Sequence, residues 1–96
     1  VSTCEVIAAA LRGDLHATIV GATTGGSSGA PLEVALPVSH GDVAIPTWNL
    51  VAADGTAIES NGLTPDVAVE ATPEALAAGV DLPLQTAIDR VQPAPP

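Results

Sequence analysis

The pattern of apolar and polar positions predicts a helix at the start of the chain. An unbroken apolar stretch over residues 6–11 follows Ser2 or Thr3, and either side chain can cap a helix. Glu5 stands two or three residues after the cap, as in a capping box. We therefore expect a helix over residues 1–11 that stops at the sequence Arg12-Gly13-Asp14.

The middle of the chain has the short apolar runs and turn residues of strands. Residues 15–21 are rich in β-branched side chains and end at glycine, which predicts a buried strand. Residues 22–31 hold glycines, serines and a proline, so they predict a loop with exposed backbone amides. Two further strands are predicted over residues 32–36 and 43–51, separated by turn residues 39–42.

Turn signals then precede a short strand. The pair Asp54-Gly55 predicts a hairpin turn, with residues 56–60 on its far side, and Asn61-Gly62 predicts a second turn. Residues 63–69 enter through Pro65-Asp66 and continue as alternating valine and alanine, which predicts a short strand.

Two helices are predicted near the end of the chain. Thr72 and Pro73 form a typical helix start, and Gly79 a typical helix end. Asp81 begins the last helix, which has one apolar face formed by Leu84, Ala87, Ile88 and Val91. The proline-rich residues 92–96 predict a disordered tail.

Composition narrows the class of protein. A chain of 96 residues allows one domain, and its apolar residues are mostly small aliphatic ones that suit thin, layered α/β packing. The formal net charge of −9 argues against binding to nucleic acid or to anionic lipid. The single cysteine, Cys4, excludes an internal disulfide and cannot build a zinc site alone, and no metal or other cofactor is expected.

The start of the chain and its apolar runs bear on processing. No run approaches the roughly 18 apolar residues of a membrane span, and no signal-peptide pattern is present. Because the first residue is Val1 rather than methionine, we expect a processed protein or a fragment.

Taken singly, none of the candidate catalytic or binding residues is strong evidence for a function. Ser2 is most simply a helix cap, although a helix N-terminus also supplies the positive potential and free amides that stabilise an oxyanion. His16 and His40 fit ordinary surface histidines. The GGSSG loop resembles an anion-binding nest but lacks the lysine of a P-loop, so a flexible or substrate-lining loop is preferred, formed by Gly25, Gly26 and Ser27.

Several motifs occur together in one order. Asp54 to Asp66 follow a pattern dGt-x-x-E-x-x-G-(V/L)-x-P-D, and Gly79 to Ala87 follow g-x-D-x-x-L-x-x-A. With the segments STCEVIAAAL and LHATIVGATTGGSSGAP before them, residues 1–91 resemble the C-terminal part of a tail-specific, or C-terminal processing, serine protease of serine peptidase family forty-one. The resemblance implies an α/β fold, the latter half of a layered β-β-α spiral related to crotonase and ClpP and truncated on its N-terminal side.

The resemblance assigns roles to residues at the start of the chain. In that family the nucleophilic serine stands three residues before a glutamate at a helix start, and Ser2 and Glu5 occupy these positions. It implies that Ser2 is the nucleophile, that the amide of Thr3 is an oxyanion donor, and that Glu5 is structural.

The general base separates branches of the family. The bacterial tail-specific branch uses a lysine, and this chain contains none, which excludes a Ser-Lys dyad. The sequence T-G-G-S-S-G-x-P instead resembles the lysine-lacking, tricorn-like branch, which uses a Ser, His, Ser and Glu tetrad. Glu59 matches the tetrad glutamate, and the histidine and second serine would lie upstream. Asp66 is expected to accept backbone amides at a turn.

Three functions remain in view. The first is a serine endopeptidase or C-terminal processing peptidase whose full-length parent hydrolyses peptide bonds, this chain alone being inactive. The others are a non-catalytic ligand- or protein-binding module of the same fold and an interaction subunit. The expected partners are a peptide or protein substrate and the missing N-terminal half, with a homo-oligomer left open. The acidic, lysine-free composition favours an extracytoplasmic location in the periplasm, the cell envelope or outside the cell.

Overall fold

The computed structural model describes residues 1–92 as a mixed α/β chain with short helices and small sheets. The predicted tail beyond Gln92 lies outside the described residues. The described chain divides into two compact units: the first comprises Val1–His16 and Thr24–Leu63, and the second comprises Ala17–Thr23 and residues 64–92. In chain order the elements are α1 (Thr3–Leu15), β1 (Val20–Gly21), β2 (Pro31–Leu36), β3 (Gly41–Pro46), β4 (Val67–Ala68), α2 (Pro73–Ala77) and α3 (Leu82–Val91).

Helix α1 begins where the sequence predicts and ends later. Ser2 is its N-cap, but the helix continues through Gly13 to Leu15. It ends at His16, which adopts the left-handed conformation (φ 53°, ψ 33°) and donates its N–H to the Leu11 carbonyl. The predicted stop at Arg12-Gly13-Asp14 is therefore wrong, because a left-handed cap at His16 ends the helix.

The predicted strand over residues 15–21 is also largely wrong. Leu15 is the last residue of α1, and only Val20–Gly21 form strand β1. Helix α1 continues through Gly13, where Ala53 packs closely: a Cβ on Gly13 would come 3.2 Å from the Ala53 Cβ.

Strands β2 and β3 form an antiparallel ribbon. The register pairs Pro31 with Pro46 at one end and Leu36 with Gly41 at the other. The predicted strand over residues 32–36 is confirmed, whereas the one over residues 43–51 is displaced, because β3 starts at Gly41 and ends at Pro46. A proline has no N–H to extend a ladder, so the pair Pro31 and Pro46 suits a ribbon end.

The core of the first unit is small and lies under the predicted turns. Ala52, Ile58 and Leu63 are its buried apolar residues. The Asp54-Gly55 turn is confirmed: the Ala52 N–H bonds to the Thr56 carbonyl at 2.8 Å, and Val51 bridges to Ala57. The Asn61-Gly62 turn is confirmed as well, since both amides donate to the Ile58 carbonyl.

The second unit pairs two very short strands and adds two capped helices. Strand β1 runs parallel to β4, with Val20 opposite Val67, so the predicted strand over residues 63–69 is reduced to two residues. Asp66 accepts a backbone amide as predicted, from Ile19 at 2.8 Å.

Both predicted C-terminal helices are confirmed with their caps. Thr72 accepts from the Ala75 N–H at 3.1 Å, and Asp81 accepts from the Leu84 N–H at 3.0 Å. Helix α2 ends in a Schellman motif at Gly79 (φ 74°), in which the amide of Val80 reaches back to the Ala75 carbonyl. No helix within residues 1–92 is long and apolar enough to cross a membrane.

Candidate active site

Ser2 has an unusual backbone conformation at the N-terminus of α1. Its φ of 59° and ψ of −133° correspond to the first central residue of a type II′ turn, a position that favours glycine. A serine held there is strained by about 1–3 kcal/mol and persists only where its surroundings fix it. Ser2 is exposed, and it stands at the positive end of the helix dipole.

Hydrogen bonds to Glu5 help to hold Ser2 in this conformation. Its side chain is fully buried, and its Oε2 accepts the Ser2 N–H at 3.0 Å and the Ser27 N–H at 3.2 Å. Its Oε1 accepts the Gly26 N–H at 2.7 Å and the hydroxyl of Thr24. Each carboxylate oxygen thus receives two donors, so the buried charge is balanced by hydrogen bonds.

The next two amides along the loop bind a second carboxylate. Oε2 of Glu59 accepts the Ser28 N–H at 2.7 Å, the Ser28 hydroxyl at 3.0 Å and the Gly29 N–H at 2.9 Å. We call residues 26–29 the strap. All four of its backbone amides donate to carboxylates of this chain. The loop therefore binds anions as a nest does, but the anions are the side chains of Glu5 and Glu59.

Hydrogen bonds lower the pKa of both carboxyl groups. The Thr24 hydroxyl is the main cause for Glu5, and the Gly26 and Ser27 amides act in the same direction, against burial, which raises that pKa. The pKa of Glu59 is lowered first by the Ser28 amide and then by the Gly29 amide, while the charge of Glu5 acts in the opposite direction. Both side chains are therefore ionised near neutral pH.

The other predicted residues make none of these hydrogen bonds. Thr3 is the first residue of α1, where the helix leaves its amide without an intrahelical acceptor. His16 caps the far end of α1, and His40 lies in the turn of the β2–β3 ribbon; both are exposed, as predicted. Gly25 packs against Val1, where a Cβ would come 2.5 Å from the valine Cγ1.

The sequence predicts one hydrogen bond of Glu5 and not the others. A capping box explains the bond from Glu5 to the Ser2 amide, yet nothing local predicts its bonds to Thr24 and to the strap, about twenty residues later. The available signal was the run of glycines and serines itself, because closely spaced free amides need acceptors.

Comparison with known proteins agrees with the motifs. No curated protein sequence matches the chain. The sequence model of peptidase family S41 matches residues 1–69, a range that contains Ser2, the strap and Glu59. The match ends before Gly79 to Ala87, the second motif singled out in the sequence. Since the match spans more than half of the chain, the chain belongs to peptidase family S41.

Proposed function

We propose that Ser2 is the nucleophile of a serine peptidase, an endopeptidase or C-terminal processing enzyme, of which this chain forms part of the catalytic domain over residues 1–91. The observation that carries the proposal is the strained backbone of Ser2 (φ 59°, ψ −133°) at the first turn of α1. A tight turn into a helix start exposes a serine hydroxyl and aims it away from the backbone, as at other nucleophile turns. Membership of peptidase family S41 supports a peptidase parent.

The hydrogen bonds around Ser2 favour Thr3 as the oxyanion donor. The N–H of Ser2 is already engaged, by the Ser27 carbonyl at 2.6 Å and by Glu5 at 3.0 Å. The Thr3 amide is the next donor along the chain, and it points with the helix dipole toward the N-terminal side. A donor so placed stabilises the negative charge that develops on the substrate carbonyl oxygen.

The general base is proposed to come from outside this chain. The sequence contains no lysine, and His16 stands at the opposite end of the 13-residue helix α1. At 1.5 Å per residue that end is about 20 Å from Ser2, far beyond hydrogen-bond reach. A histidine and a serine upstream of this chain complete a tricorn-like tetrad in which Glu59 supports the pair. Within the chain Glu59 also binds the strap through Oε2.

The reaction then proceeds by acyl transfer. Ser2 Oγ attacks the peptide carbonyl while the external base takes its proton, and the tetrahedral oxyanion forms beside the Thr3 amide. Collapse breaks the peptide C–N bond, and the base returns the proton to the leaving amine. Water, deprotonated by the same base, then attacks the ester on Ser2, and the base returns this proton to Ser2 Oγ as the ester C–O bond breaks. Gly25, Gly26 and Ser27 line the path of the substrate in this proposal, and no metal or other cofactor takes part.

The fold, substrate and location that we propose for the parent protein are those of the same branch of the family. The chain forms the latter half of a spiral β-β-α core related to ClpP and crotonase, completed by the N-terminal half of the protein. The substrate is a peptide or protein, and the acidic composition suits an extracytoplasmic location.

The test is peptidase activity of the natural polypeptide that contains this chain. Ser2→Ala is expected to abolish turnover of a peptide substrate, while Ser39→Ala, in the exposed turn of the ribbon, leaves it unchanged. Retained turnover in the folded Ser2→Ala protein would refute the proposal. A natural protein that binds peptides without hydrolysing them would favour the alternative, a binding module of the same fold.

A further inference from the structure

The four amides of the strap are divided between two carboxylates. Those of Gly26 and Ser27 donate to Glu5, and those of Ser28 and Gly29 donate to Glu59. Backbone amides of a surface loop ordinarily bond to water or to nearby carbonyls. Consecutive amides that all donate to carboxylates from distant parts of the chain fix the position of the strap at both of its ends.

The strap also contacts Ser2 directly. The Ser27 carbonyl accepts the Ser2 N–H at 2.6 Å, and Glu5 accepts amides of both Ser2 and Ser27 through the same oxygen, Oε2. Glu5 therefore holds the two partners of that bond in one place. Loss of its carboxylate would therefore remove an acceptor from Ser2 and from Ser27 at once.

Close packing also holds the strap in place, so the strap cannot move to compensate for a displaced Ser2. Gly26 has a positive φ of 69°, and a Cβ there would come 2.6 Å from the Gly62 nitrogen. On Gly29 a Cβ would come 2.8 Å from the Trp48 carbonyl oxygen. The Gly26 carbonyl accepts the Ser60 N–H at 2.7 Å, which ties the strap to the turn that follows Glu59.

From this geometry we propose that Glu5 is a positioning residue for Ser2, acting through the strap, and that Glu59 holds the other end of the same strap. The proposal rests on Ser2 being the nucleophile. Glu5 does not touch the substrate; it maintains the strained Ser2 backbone that places Oγ for attack. Thr24 belongs to the same hydrogen-bond network, because its hydroxyl donates to Glu5 and accepts the Leu63 N–H at 2.8 Å.

The first test is kinetic and uses the natural polypeptide. Glu5→Gln puts a carboxamide where only acceptors fit, so kcat is expected to fall by about 10²-fold with KM little changed, as for a misplaced reacting group. Thr24→Val is expected to lower kcat in the same way, and Thr24→Ser, which keeps the hydroxyl, to restore it. Glu33→Gln, on the exposed ribbon, is the matched control and is expected to leave kcat unchanged.

A double-mutant cycle separates positioning from general damage. If Glu5 and Thr24 act as one unit, the double variant loses little more than either single variant. Multiplicative losses, or an unchanged kcat in Glu5→Gln, would overturn the role of Glu5. If Glu5→Gln does not fold, equal kcat values for Thr24→Val and Thr24→Ser would overturn it instead.

The proposed role of Glu59 can be measured without an activity assay. In amide NMR spectra, Glu59→Gln is expected to move the resonances of Ser28 and Gly29 and, through the strap, that of Ser2. A Ser2 resonance that stays in place would overturn the coupling. All these outcomes can be told apart from failure of the proposed function, because the proposed function fails only if Ser2→Ala retains turnover.

Discussion

Gly26 is the first residue of the strap and donates its amide to Glu5, so replacing it with alanine tests the geometry of the strap. Its φ of 69° strains any L-residue, which costs about 1–2 kcal/mol. The new Cβ would also come 2.6 Å from the Gly62 nitrogen and 3.0 Å from the Ile58 carbonyl oxygen. Both neighbours are backbone atoms of a tight turn, so relief requires a backbone shift, worth about 1–3 kcal/mol more.

Gly55 supplies a control for the strain alone. It also has a positive φ, 88°, but a Cβ there would meet no atom within 4 Å. Gly55→Ala should therefore lower the free energy of unfolding by about 1–2 kcal/mol, and Gly26→Ala by about 2–5 kcal/mol. Urea denaturation of wild type and both variants measures the difference, provided that the m-values agree. Equal losses in the two variants would refute the close packing of the strap against the turn over residues 58–62.

Three further predictions concern stability. Ile58→Ala, at a fully buried position, should cost about 2–5 kcal/mol in denaturant unfolding, and a loss below 1 kcal/mol would contradict the core described above. Asp81→Ala removes the cap of α3 and should cost about 0.5–2 kcal/mol, whereas Asp81→Asn, which keeps an acceptor for the Leu84 amide, should cost less; equal losses would argue against the cap. Because the folded pKa of Glu59 lies below its ordinary 4.5, its carboxylate stabilises the fold fully above pH 4.5 and loses that contribution as pH falls through the folded value. Unfolding midpoints of wild type should therefore approach those of Glu59→Gln on acidification, and a constant gap down to pH 3 would contradict this.

Local chemistry made the caps and turns predictable. Thr72, Asp81 and Gly79 act through neighbours within four residues, and the structure confirms each of them. The ends of α1 and β1 were less predictable. His16 carries no strong sequence signal for a left-handed cap, and Gly13 reads as a stop when the packing of Ala53 against it is unknown.

The candidate site shows the same division between local and distant interactions. The spacing of Ser2 and Glu5 is visible as a capping box, and the motif around Glu59 marks that residue. The strap is not visible, because it depends on bonds between residues separated by 21 to 31 positions. Such pairings arise only when the chain folds back on itself, and no local propensity encodes them.

The most direct test of the account is covalent labelling of the natural polypeptide with a fluorophosphonate, which phosphonylates activated serine nucleophiles. Tandem mass spectrometry locates the adduct. One adduct is expected, on Ser2; it should be absent from Ser2→Ala and should form more slowly in Glu5→Gln. An adduct on another serine, or peptide hydrolysis by a protein whose Ser2 stays unlabelled, would contradict the claim that Ser2 is the nucleophile.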